Sequence, residues 1–104
     1  FPKSGEVKFA KSRPAVVVSH NDIGRLPLKT VVPITDYKSA YGNYPWMIKI
    51  ENEALSKTSA IDCFQVKNFS NSRFVKKLGS IDKKKLHKVH ETIARTLNPL
   101  YQLK

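Results

Sequence analysis

With 104 residues, 40% of them hydrophobic, six prolines and four glycines, the chain reads as one small folded domain, neither disordered nor fibrous. Nineteen Lys and Arg against eight Asp and Glu leave a formal charge of +11, which points to a polyanionic partner such as nucleic acid or an acidic protein segment. No apolar run approaches the ~20 residues of a membrane span and nothing reads as a signal peptide. The single cysteine, Cys63, allows no internal disulfide and fits a reducing cytoplasm.

In chain order, residues 1–12 contain a Pro, a Gly and Lys3, Lys8 and Lys11, and read as a basic loop. Arg13-Pro14-Ala15-Val16-Val17-Val18 is a short β-branched run bounded by turn formers, predicting a buried strand with Pro14 at its start, where no ladder N–H is required. Ser19 to Leu28 is a polar, Gly- and Pro-punctuated connection. Thr30–Thr35 predicts a second strand, with Pro33 suggesting an edge position or a bulge. If these two strands pair antiparallel, Arg13 at the start of one and Thr35 at the end of the other meet at the same edge of the sheet.

Residues 36–45 read as a long loop carrying three tyrosines. Trp46–Ile50 predicts a third strand, 52–57 a short helical turn, and Ser59–Val66 a fourth strand in which Ile61, Cys63 and Gln65 share one face. Residues 67–72 read as a loop and Arg73–Leu78 as a fifth strand ended by Gly79. The last element is a helix: Asp82 is a good N-cap, Leu86, Val89, Ile93 and Leu97 recur at helical spacing, and Asn98-Pro99 stops it. The plan is α+β, mostly β, a small twisted barrel or half-barrel with a C-terminal helix packed on it.

From the residues alone, Arg13 reads as a surface arginine and Thr35 as a strand-end hydroxyl. His20, in the polar loop with Asn21, is a solvated side chain that could reach a groove. His87 and His90 are helix-surface histidines, and with Cys63 they form no ligand motif of recognised spacing, so no metal or cofactor is expected. Tyr37, Tyr41, Tyr44 and Trp46, interleaved with Lys38 and Asn43, offer stacking and base-edge contacts to an unpaired nucleic acid, with Lys38, Tyr41 and Asn43 the favoured ones. Lys8, Lys11 and Lys67 are candidate phosphate contacts. Lys83, Lys84 and Lys85 oppose the helix macrodipole and read as a solvated face.

Four blocks occur in order: Arg-Pro-Ala-Val-Val-Val-Ser with Asn-Asp-Ile-Gly, Val-Val-Pro-Ile-Thr, Ser-Ala-Ile-Asp-Cys-Phe-Gln-Val, and Gly-Ser-Ile-Asp-Lys-Lys-Lys-Leu. Together they resemble the MazF/PemK/Kid toxins of bacterial toxin–antitoxin systems. The resemblance implies an SH3-like barrel that dimerises, cleaves single-stranded RNA at short sequences without metal, and is neutralised by an antitoxin whose acidic tail lies across the RNA groove. It also matches Arg13 and Thr35 to the family's catalytic arginine and threonine, and Gln65 to a glutamine that helps bind RNA. The chain departs from the pattern twice. The family's opening Gly-Asp-Val/Ile-aromatic strand is expected before residue 1. Phe64 stands where many relatives carry an acid before the glutamine, and Asp62 is the nearest substitute. The Arg13–Thr35 pair favours a sequence-specific, metal-independent endoribonuclease, the toxin of such a pair; the two departures favour the alternative, a non-catalytic module on the same fold that binds RNA or poisons gyrase. A small structural nucleic-acid protein explains the charge but not the blocks. Arginine cannot act as the base at neutral pH, so His20 is the first candidate for that role.

Overall fold

A computed structural model describes residues 4–10, 13–20 and 27–98, without the side chains of residues 9 and 10. Seven antiparallel strands are followed by one helix: β1 (Glu6–Ala10), β2 (Arg13–Val17), β3 (Leu28–Asp36), β4 (Met47–Ile50), β5 (Ser59–Asp62), β6 (Lys67–Ser70), β7 (Phe74–Ser80) and α1 (Lys83–Leu97). The ladder runs β4-β5-β3-β2-β1-β7 and stays open, with β6 pairing on β3 beside that path.

The valine run of β2 is continuously apolar because both of its faces are covered. Val16 and Val18 enter the main core with Val7, Val32, Ile34, Ile48, Ile50, Ile61, Cys63 and Val89 of the helix. Ala15 and Val17 point the other way, into a smaller cluster with Val31 that Phe69 and Phe74 close. Alternate residues of one strand thus build two cores.

β3 holds the sheet together. Its Val31–Pro33 segment pairs with β2. Leu28–Val31 pairs with β6 and Ile34–Asp36 with β5. Pro33 is therefore interior, not at an edge. It falls between the segments that serve β6 and β5, where a missing N–H costs no ladder bond.

The helix docks as its periodicity predicts, with Val89 fully buried and Leu86 and Ile93 partly so. Asp82 caps it by accepting from the Lys85 N–H at 2.7 Å. His90 Nε2 lies 2.8 Å from the Val18 carbonyl, a hydrogen bond that ties the helix to the end of β2. Leu97, expected on the buried face, is 62% exposed because the last helical turn extends beyond the core. Among the described residues no helix is long and apolar enough to cross a membrane.

Several expectations are corrected. Residues 6–10 form a strand between β2 and β7, not a basic loop. Gly5, at φ 86°, makes the turn into it, a conformation that side chains disfavour. The predicted strand at 59–66 stops at Asp62, and the residues read as a loop at 67–70 form β6. The Asp62 carboxylate accepts from the Phe64 N–H at 3.1 Å and bends the chain there. Gly79 does not end a strand: it lies within β7, where an added Cβ would stand 2.7 Å from that of Ala54. Residues 39–43 of the tyrosine loop form a 3₁₀ turn, whereas 52–57 form turns held by Asn52 and no helix.

Burial, and secondarily the neighbouring Asp62 carboxylate, push the Cys63 thiol up from 9.0 to about 12. The unfolded chain therefore sheds this proton from pH 9 upward while the folded chain keeps it, and stability falls with rising pH across that interval. Chemical denaturation of the parent and Cys63→Ala should show the parent losing up to ~1.4 kcal/mol per pH unit more than the variant between pH 9 and 12. At pH 8 the thiol should resist alkylation until the chain unfolds.

Candidate active cleft

The order of pairing along β3 shapes a cleft on the sheet face opposite the helix. β5 and β6 meet β3 end to end, and the turn between them at residues 63–66 leaves the edge of β3 uncovered around Pro33. The cleft encloses about 330 Å³. Its floor is Ala15, Val31, Pro33 and Ile34, with Arg13 and Pro14 on the β2 side. Asp62, Gln65, Lys67 and Phe69 form the opposite wall, and Tyr41 and Met47 close the end where Thr35 lies.

The pairing register sets Arg13 against Thr35. Ala15 lies opposite Pro33, so continuing the ladder by two residues brings Arg13 across from Thr35. At that point β3 leaves β2 for β5, and both side chains open into the cleft. Arg13 is exposed and, among the described residues, has no ion-pair partner. The Thr35 hydroxyl likewise has no hydrogen-bond partner among them. A fixed cation and a free hydroxyl on one rim are suited to a phosphate, whose oxygens accept from both.

Of the residues singled out from sequence, the cleft brings together Arg13, Thr35, Tyr41, Gln65 and Lys67. Others stand away from it. Lys8 is on β1 beside Ala15, with its ammonium 3.4 Å from Glu6. Lys38 and Asn43 are exposed at the two ends of the 3₁₀ turn, outside the lining. His20 follows the far end of β2; at a rise of about 3.3 Å per residue it lies roughly 20 Å along the chain from Arg13. It is not among the residues that line the cleft. Lys11 and Asn21 lie outside the described residues.

Asp62 is the residue the sequence reading undervalued. It is 7% exposed, lines the cleft, and accepts from Gln65 Nε2 at 2.8 Å as well as from the Phe64 N–H. One carboxylate therefore sets both the turn and the direction of the Gln65 amide. The signal in the sequence was the Asp-x-x-Gln spacing, obscured because these residues were read as strand. Among the described residues no three His, Cys, Asp or Glu side chains gather as a metal site would require. His87 contacts Glu91 on the helix and His90 is engaged by the Val18 carbonyl.

The family model for the PemK-like, MazF-like toxin of type II toxin–antitoxin systems matches residues 1–97. No curated protein matches the sequence. Among solved structures, an endoribonuclease in complex with its cognate antitoxin from a Mycobacterial species superposes with a TM-score of 0.83 at 16% identity, covering 99% of this chain and 100% of that one. MazF in the MazE–MazF complex of Deinococcus radiodurans gives 0.78 at 20% identity, over 92% of this chain and 95% of that one. The Mycobacterium tuberculosis toxin MazF-mt6 gives 0.78 at 15%, over 88% and 95%. At such identities the superpositions speak for the fold, and the model match speaks for descent: the chain belongs to the PemK-like, MazF-like toxin family of type II toxin–antitoxin systems.

Proposed function

We propose that this toxin is a sequence-specific, metal-independent endoribonuclease acting on single-stranded RNA, with Arg13 and Thr35 as its catalytic residues. The observation that carries the reading is that Arg13 and Thr35, two residues beyond the last β2–β3 pair, line one cleft together with Gln65, Lys67 and Tyr41. The ribose 2′-hydroxyl would attack the adjacent phosphorus, closing a 2′,3′-cyclic phosphate and releasing the 5′-oxygen of the next nucleotide. The Arg13 fork would hold two phosphate oxygens as their charge builds. The Thr35 hydroxyl would donate to the same phosphate. Lys67 would contact a neighbouring phosphate, and Gln65 would offer its amide to a base edge in the direction Asp62 imposes. The solved relatives in complex with antitoxins support a partner of that kind here. Its tail would be acidic and compete for the basic cleft, and the toxin would act as a homodimer, as the family resemblance implies.

One observation favours a second reading, an RNA binder that does not cut. Among the described residues the cleft holds no histidine, and its one carboxylate, Asp62, already accepts two hydrogen bonds. A single assay separates the two. In EDTA, a mixed-sequence single-stranded RNA should be cut at one short motif and leave cyclic phosphate ends. Arg13→Ala should slow the cutting by roughly 10²–10³-fold, the effect of removing one oxyanion donor. RNA that stays intact with protein folded by circular dichroism contradicts the nuclease and leaves the binder.

Asp62→Ala tests the wall of the cleft. Its two donors belong to exposed residues and can turn to water, so the loss of stability should be only about 1 kcal/mol in urea denaturation. RNA affinity should fall all the same, because Gln65 is no longer aimed. Affinity equal to the parent's would count against this role for Asp62.

A further inference from the structure

A row of five aromatic rings follows the rim of the cleft. Tyr41, in the cleft wall, meets Tyr37 edge-on at 6.2 Å and Tyr44 at 5.7 Å between ring centroids. Tyr44 stacks on Trp46 at 4.9 Å, and Trp46 meets Phe64 at 6.2 Å. Phe64 directly precedes Gln65 of the opposite wall, so the row leaves the cleft at Tyr41 and returns beside it. Two of its rings face water: Phe64 is 60% exposed and Tyr44 39%. Phe64 is held there by design of the turn, its N–H bound to the buried Asp62 carboxylate.

Two exposed rings held on either side of Trp46, in a continuous row of ring contacts, mark a binding surface. Charge identifies the occupant. Lys49 places its ammonium 5.0 Å from the Tyr37 ring centroid, Lys38 is exposed at the start of the 3₁₀ turn, and the chain as a whole carries +11. A second copy packed here would bring two like-charged surfaces together. Single-stranded nucleic acid satisfies both features, since its bases stack on rings of any kind while its phosphates take up the cations.

We propose that this row is a stacking track for the unpaired bases that flank the phosphate held between Arg13 and Thr35, with Phe64 and Tyr44 as its open faces. The identity of that phosphate rests on the ribonuclease reading. The track is separate from it in kind: it takes bases without reading their edges, and lengthens the RNA segment that the protein grips.

The test uses a short single-stranded oligomer of 2′-O-methyl ribose, which has no 2′-hydroxyl and cannot be cut, beside an abasic oligomer of equal charge. Fluorescence anisotropy should show the parent preferring the base-bearing oligomer. Phe64→Leu, an exposed change that keeps bulk but removes the ring, should bind that oligomer about tenfold more weakly and the abasic one equally well. Phe64→Trp should restore the preference. If Phe64→Leu binds both oligomers as the parent does, the track is overturned, whereas the nuclease stands if RNA is still cut. If Phe64→Leu keeps the base preference but changes the sedimenting species, the face is a protein interface and the proposal is overturned. If the parent neither binds nor cuts RNA, both readings fall together.

Discussion

The antiparallel ladder between β2 and β3 is the constraint on which the rest depends. Pairing Val16 with Val32 and Val17 with Val31 forces alternate side chains into two separate cores. A slip of one residue would turn the whole set over and send each side chain to the wrong core, so packing on both faces pins the register. The same register carries Arg13 opposite Thr35 just beyond the last pair. Core packing and site geometry are one choice, made once.

The other edge of β3 then decides where the cleft opens. It is shared by β6 and β5, and the turn that moves the chain from one to the other leaves space beside Pro33. Asp62 is at the centre of that turn. Its burial is tolerated because both carboxylate oxygens accept hydrogen bonds, and it transmits order to the exposed Phe64 and Gln65 on either side of the cleft wall. Charge is distributed differently. Arg13 and Lys67 line the cleft, while Arg73, Lys76, Lys77 and the lysines at the start of α1 are spread over the remaining surface, a positive field of the kind that attracts polyanions without specifying position.

Much of this was legible in the residues wherever local pattern and tertiary context agreed. The helix from its Asp82 cap to Asn98, the buried valine strand and the Arg13–Thr35 edge follow from periodicity, capping and antiparallel pairing. β6 was not legible: Lys-Asn-Phe-Ser has little strand character, and its extended form comes from pairing with Leu28–Val31. β1 was hidden by its lysine, Lys8, which is offset by Glu6, and by the lysines that flank it in sequence. The break after Asp62 was masked by Ile61 and Cys63, whose spacing imitates a strand although Cys63 already lies in the turn. In the site, Arg13, Thr35 and Gln65 came from register or resemblance. Asp62 depended on a side-chain-to-backbone bond that no periodicity encodes. His20 is close to Arg13 in sequence, but β2 runs between them and His20 is not among the residues that line the cleft.

The central claim, that RNA enters the cleft at the Arg13–Thr35 end of the β2–β3 ladder, is tested most directly by amide chemical-shift mapping with the uncleavable single-stranded oligomer. The account predicts perturbations concentrated at Arg13, Thr35, Tyr41, Gln65 and Lys67, with His20 and the lysines at the start of α1 unmoved. Shifts concentrated on α1 or around His20 would contradict it.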